Sequence, residues 1–227
     1  KNIEEMIEQA EIIKKLPVDL VELRIDYFIE SKNVLYINEA ITRLKNIVNK
    51  PVILTFRTAF EGGSQEISRE DYSKLLNEIL NQENVDIIDV ELFTAKESLI
   101  DIVNNAHKYG TKVIMSNHDF DKTPNSAEIV SRLHDMEKFG ADIAKIAVMP
   151  NSSKDVIELL DATREAYETM NIPIVTMSMT KKGLISRVSG EFFGSAITFG
   201  TALNASAPGQ INANELDKII KILHMNV

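Results

Sequence analysis

A chain of 227 residues, 44% hydrophobic and 26% charged, has the size and composition of one folded domain, read here as spanning residues 1–227. Its net charge of −9 argues against nucleic acid or an anionic membrane surface as its main partner. The absence of cysteine excludes disulfides, thiolate catalysis and cysteine-ligated metals, and no apolar run approaches the roughly 18 residues of a membrane span.

The first stretch, Lys1 to Ala10, is acidic and amphipathic and lacks the apolar centre of a signal peptide, so a cytoplasmic location is expected. A helix is predicted at 2–15. Strand-like runs follow at Val18–Asp26, Pro51–Arg57, Val85–Leu92, Thr111–His118, Asp142–Met149, Pro173–Met179 and Ser195–Gly200. Helical patterns alternate with them at 35–49, 68–82, 95–109, 125–139 and 152–170, and another closes the chain at 212–224. Ser68-Arg69-Glu70-Asp71 and Asn125-Ser126-Ala127-Glu128 read as helix starts with acidic first turns, and Gly110 and Gly140 as helix stops.

Alternation at this spacing predicts βαβ units and a parallel sheet. Seven strands between an opening and a closing helix fit an α/β chain folded as a (β/α)8 TIM barrel whose first strand is absent from this sequence. A doubly wound sheet competes, but it has no glycine-rich phosphate turn here, neither GxGxxG nor GxxxxGK[ST].

Strand parity sorts the side chains. Glu22 and Arg24 oppose the apolar Val21, Leu23 and Ile25 and should point inward. Arg57 shares a face with Ile53 and Thr55, Asp89 with Glu91, His118 with Ser116 and Ile114, and Lys145 with Ile143 and Ala147. Most of these polar residues lie toward the C-terminal ends of their strands, where barrel enzymes carry their sites. Any one of them could be a structural ion pair, Glu22 with Arg24 in particular. Together they call for a polar site, because unpaired charges inside a protein are costly.

Lys145 is the most informative of them. It interrupts the apolar run Asp142–Val148, bounded by Gly140 and Pro150, and a strand covered on both faces strips a lysine of its hydration. Desolvation disfavours an ammonium ion, and the neutral amine is a nucleophile toward carbonyl carbon. The alternative is a lysine that snorkels from a strand end. His118 has the chemistry of a general acid/base, or of a hydrogen-bonded structural histidine. Arg24 and Arg57 suit a carboxylate or phosphate, so a small anionic carbonyl substrate is expected. His107, His118, His134 and His224 show no zinc-ligand spacing, and no metal is expected.

Several motifs resemble one family. They are Glu22-Leu23-Arg24-Ile25-Asp26, Thr55-Phe56-Arg57-Thr58, Glu61-Gly62-Gly63, Ser116-Asn117-His118-Asp119-Phe120, Lys145-Ile146-Ala147-Val148-Met149-Pro150 and Met177-Ser178-Met179. Gly183-Leu184-Ile185-Ser186-Arg187, Gly194-Ser195 and Ala205-Ser206-Ala207-Pro208-Gly209-Gln210-Ile211 complete the set. In this order they resemble type I 3-dehydroquinate dehydratases over essentially the whole chain.

The resemblance implies a homodimeric TIM barrel of the Schiff-base aldolase type, with no cofactor. It implies that Lys145 forms an imine with the C3 ketone of 3-dehydroquinate, that His118 transfers the protons, and that Glu61 orients and tunes the histidine. It makes Glu22, Arg24, Arg57, Arg187, Ser206 and Gln210 substrate contacts, with Arg187 the main partner of the substrate carboxylate. Met177 and Met179 would line the pocket wall, and the segment around 188–193 and the stretch before Gln210 would close over the substrate. Family members begin with a strand before the opening helix, which this sequence lacks. Two other readings compete: another Schiff-base aldolase, and a truncated barrel that binds without turnover. Arg187 and the Ser206–Gln210 block speak against the first, and the joint presence of Lys145, His118 and Glu61 against the second.

Overall fold

The computed structural model describes residues 1–202 and 208–225. The chain packs as two compact units, Lys1–Ser116 with Phe139–Ala141, and Asn117–Lys138 with Asp142–Val227.

The first unit opens with α1 (Ile3–Ile13). Its N-terminus is closed by a capping box, in which Asn2 Oδ1 accepts the Glu5 N–H at 2.9 Å and the Glu5 carboxylate accepts the Asn2 N–H at 3.3 Å. Strand and helix then alternate: β1 (Val21–Arg24), α2 (Val34–Val48), β2 (Val52–Thr55), α3 (Arg69–Leu80), β3 (Ile87–Glu91), α4 (Leu99–Lys108) and the first residues of β4 (Lys112–Asp119). α3 starts where the sequence signalled it, with the Ser68 hydroxyl accepting the Asp71 N–H at 3.0 Å.

Strands β1 to β4 pair in parallel, in register Glu22↔Ile53, Thr55↔Asp89 and Glu91↔Ser116. Residues in register share a face, so Glu22, Arg24, Thr55, Asp89, Glu91 and Ser116 form one polar layer. The opposite face is apolar, with Leu23, Leu54, Phe56, Ile88, Val90 and Met115 all buried. Helix α3 covers part of it, and Phe56 meets Tyr72 edge to face at 6.3 Å between ring centroids.

The second unit holds the end of β4, then α5 (Ser126–Lys138), β5 (Ile143–Val148), α6 (Ser153–Thr169) and β6 (Ile174–Ser178). Short helices α7 (Leu184–Val188) and α8 (Gly190–Phe193) follow. A two-residue pair, β7 (Gly200–Thr201) with β8 (Ile211–Asn212), leads into α9 (Ala213–His224). β5 and β6 run parallel, in register Lys145↔Val175 and Ala147↔Met177. No helix among the described residues is long and apolar enough to cross a membrane.

Six of the seven expected strands form, each within a few residues of its predicted bounds. The strand expected at Ser195–Gly200 does not form. It contributes one bridge, Ile174↔Ser195, and only Gly200 joins a ladder. Side chains replace it along β6. The Ser195 hydroxyl accepts the Thr176 N–H at 3.0 Å, and the Ser186 hydroxyl accepts the Ser178 N–H at 2.9 Å. Backbone donors met by hydroxyls need no further strand. Val18–Asp26 also shortens, because Ile25–Tyr27 turns into a 3-10 helix that buries Asp26.

Candidate active site

In the first unit the polar layer is gathered by one guanidinium. Arg57 lies just past the end of β2. Its Nη1 donates to Glu91 at 2.9 Å, to the Ser116 hydroxyl at 3.0 Å and to Glu61 at 3.5 Å, and its Nη2 donates to Asp89 at 2.8 Å. All five residues are buried. Burial alone would lower the arginine's pKa, but the charges of Asp89, Glu91 and Glu61 outweigh it and hold the group above its ordinary value. The cluster is stitched to the backbone, since Glu91 also accepts from the Thr58 N–H, the Thr58 hydroxyl and the Thr94 hydroxyl at 2.9, 2.8 and 2.6 Å.

Glu61 reaches Arg57 because Ala59–Glu61 turns as a 3-10 helix, and the chain then doubles back at Gly62 and Gly63. A Cβ on Gly63 would stand 1.9 Å from the Arg57 carbonyl oxygen, a distance no side chain tolerates. That is why the motif carries glycine after its carboxylate.

Tyr72 closes the cluster from α3. Its hydroxyl accepts the Glu91 N–H at 3.0 Å. Burial, then the charges of Glu91 and Asp89, push its pKa well above the usual phenol value. A proton held more tightly in the folded state stabilises the fold fully below the unfolded value of about 10, and this contribution is lost as pH rises toward the folded value. Above pH ~10, Tyr72 should therefore add a slope of about 1.4 kcal/mol per pH unit to the alkaline loss of stability. Tyr72→Phe should remove that slope, while costing about 1–3 kcal/mol at neutral pH by leaving the Glu91 N–H unpaired. Urea titrations of both proteins across pH 9–11 check this; parallel slopes would refute it.

Arg24 and Glu22 sit on β1. Arg24 grips Asp26 with Nε and Nη2 at 2.7 and 2.8 Å and lies 4.7 Å over the Tyr27 ring. Burial lowers its pKa, but the bond to Asp26 and the charges around it raise it overall. Glu22 accepts the Thr55 hydroxyl at 2.9 Å. Asp26 was not singled out as a site residue, yet it organises this end: it is fully buried and also accepts the Arg57 and Ser64 N–H groups at 3.3 and 3.1 Å. Its signal in the sequence was position, two residues after Arg24 at a strand end.

In the second unit Lys145 is 4% exposed. Ala147, Val175, Met177 and Met179 form an apolar cluster on its face of the sheet, packed by Ile143, Met149, Ile197 and Phe199. Its Nζ lies 4.7 Å from the Phe199 ring centroid. Met177 lies in register with Ala147, and Met179 follows the end of β6 in the same cluster. Phe199 was not foreseen; it lies in the run misread as a strand. His118 occupies the end of β4 and is half-buried.

Arg187, on α7, is 2% exposed. Its Nη1 reaches the Met177 sulfur at 3.7 Å and its Nη2 the Pro208 carbonyl at 3.3 Å, while its Nε has no hydrogen-bond partner. Burial lowers its pKa. Such a guanidinium, held by a thioether and one carbonyl, presents donors suited to an anion. The Pro208 carbonyl also accepts the Thr180 N–H at 3.1 Å, and Gly209 permits the approach: at φ +81 it stands where a Cβ would meet the Thr180 oxygen at 2.4 Å. Gln210 follows, half-buried, whereas Ser206 lies outside the described residues.

The sites so built can be compared with known proteins. A sequence model of the Type I 3-dehydroquinase family matches residues 1–227. The chain is 47% identical to the 3-dehydroquinate dehydratase of Listeria innocua over 225 residues, covering 99% of this chain and 89% of that protein. A crystal structure of the type I 3-dehydroquinate dehydratase from Clostridium difficile, solved with covalently modified comenic acid, superposes with a TM-score of 0.96 at 47% identity. It covers 100% of this chain and 90% of that one. The Enterococcus faecalis enzyme superposes with a TM-score of 0.90 at 38% identity, over 97% of this chain and 89% of that one. Their fold is this chain's fold, α/β of the TIM-barrel class, and the chain belongs to the type I 3-dehydroquinase family.

Proposed function

We propose that this chain is a lyase that dehydrates 3-dehydroquinate to 3-dehydroshikimate, a step of the shikimate pathway, through an imine on Lys145. The observation that carries the reading is Lys145 itself, a buried amine in an apolar wall, in a chain of this family. A neutral amine adds to the C3 ketone, one proton is taken up from solvent as water leaves, and the resulting iminium acts as an electron sink. His118 then removes a C2 proton, and the electron pair moves toward the iminium. As the pair returns, the C1 hydroxyl departs with a proton supplied by His118, as water. Hydrolysis of the imine releases the enone and restores the lysine, so the net change is loss of one water.

Arg187 is assigned to the substrate carboxylate, an assignment supported by its buried, partly unpaired guanidinium. Glu22, Arg24 and Gln210 are read as further polar contacts and Met177 and Met179 as pocket wall; Ser206 keeps the role that the family resemblance implies. Arg57 keeps the substrate-contact role that the family resemblance implies; in this structure its Nη donors go to Glu91, Glu61, Asp89 and Ser116. Glu61 is read as part of the acid/base machinery. A homodimer follows from the same resemblance, a cytoplasmic location is proposed beside it, and the net charge of −9 supports a partner other than nucleic acid.

The test is to incubate the protein with 3-dehydroquinate and borohydride and map the adduct by mass. Modification of Lys145, with enone product and no C–C cleavage, is the expected result. Trapping on another residue, or none, would remove the imine from the mechanism.

A further inference from the structure

On β4 the residues on either side of His118 point away from it, to the opposite face of the strand. One side chain reaches both. Arg132, on α5, donates from Nη1 to Asn117 Oδ1 at 2.8 Å and lies 3.9 Å from Asp119 Oδ2; Glu128, one turn earlier on the helix, pairs with its Nη2. Arg132 and Asp119 are sheltered, their side chains being 16% and 15% exposed, whereas Glu128 is exposed.

The grip extends past the strand. Asp119 Oδ1 accepts the N–H groups of Asp121 and Lys122 at 3.1 and 2.9 Å, closing the turn that follows. That turn is tied to the end of β5, the strand of Lys145. The Lys122 carbonyl accepts the Met149 N–H at 3.3 Å, and the Thr123 hydroxyl donates to the Met149 carbonyl at 2.9 Å.

We propose that Arg132 is a positioning residue for proton transfer: by holding Asn117 and Asp119 from the helix side, it fixes the backbone that aims His118. A planar guanidinium suits this task, because its fork holds Asn117 with one nitrogen and Glu128 with the other in fixed directions, leaving its charge beside Asp119, where a lysine presents a point charge. The inference rests on the reading of His118 as the acid/base residue. It separates two parts of the reaction. Substrate binding and imine formation on Lys145 do not pass through Arg132, whereas the proton transfers depend on an imidazole placed within a fraction of an ångström.

The experiment uses the full chain with Arg132→Met, Arg132→Lys, Asn117→Ala and His118→Ala. Arg132→Met should lower kcat about a hundred-fold, with KM little changed and the Lys145 adduct still trapped by borohydride. The imidazole 1H–15N signal of His118, assigned by its loss in His118→Ala, should shift or split in Arg132→Met. Arg132→Lys should recover part of kcat. Should Arg132→Met fail to fold, Asn117→Ala, which removes one acceptor and leaves the arginine, should give the same kcat loss and signal change. Wild-type kcat with an unmoved His118 signal in either variant overturns the proposal. So does a fall in kcat together with a raised KM and lost adduct formation, which would mark a general structural role. Wild-type turnover in His118→Ala would instead overturn the acid/base reading beneath it.

Discussion

Arg57→Met should cost about 3–5 kcal/mol of folding stability, the loss expected when one partner of a buried charge cluster is removed. Few single changes in this chain should cost more. Asp89, Glu91 and Glu61 all close on that guanidinium, and all three are buried. Without it, three carboxylates face one another in a low-dielectric interior and must take up protons, draw in water or move apart. Against a typical total of about 5–15 kcal/mol, such a loss removes a large share of the folded state's margin. Urea unfolding at pH 7 measures it. Adding Asp89→Asn and Glu91→Gln to Arg57→Met should recover part of the loss, because uncharged amides are cheaper to bury than unpaired carboxylates. A single-variant loss below about 1 kcal/mol, the size of an exposed ion pair, would show that the cluster is solvated and that its geometry carries little of the fold.

Lys145→Met should have the opposite profile. Turnover should fall by about 10⁴-fold or more, the scale of losing a covalent nucleophile, and borohydride should trap no adduct. The fold should be kept, with urea stability no lower than wild type's. The wall that receives the new side chain is already apolar, formed by Ala147, Val175, Met177 and Met179, and methionine is close to lysine in length and free of charge. A lysine held there serves chemistry more than stability, the usual exchange at functional sites. Turnover by Lys145→Met within about ten-fold of wild type would end the imine mechanism. A large stability loss with turnover abolished would mean that the amine is structural, and the loss of activity would then follow from misfolding.

Much of this was legible in the residues. Parity placed Glu22, Arg24, Asp89, Glu91 and Ser116 on one face of their strands, and the register bears that out, because a parallel sheet with one apolar face allows only one inward set. The same argument set Lys145 beside Ala147. Partner choice was not legible. Nothing in the order of residues says that Arg57 gathers three carboxylates, or that Asp26 takes backbone N–H groups from the 57 and 64 positions. Apart from Glu61, four residues after Arg57, these contacts join residues about 30 or more apart in sequence and exist only once parallel strands are laid side by side. Ser195–Gly200 failed for a related reason. Its apolar, β-prone residues read as a strand, but Ser195 and Ser186 meet the backbone donors of β6 with their hydroxyls.

Sequence alone determined the α/β alternation, the polar face of each strand and the family, because period, glycine placement and motif order are local properties of the chain. Tertiary structure alone decided that Arg57 is bound by protein carboxylates while Arg187 keeps an unpaired donor, and that Arg132 bonds Asn117 beside His118. The physical reason is common to all three. An arginine's role is set by which acceptors lie within about 3 Å of its planar fork, and that distance is fixed only when segments remote in sequence pack together.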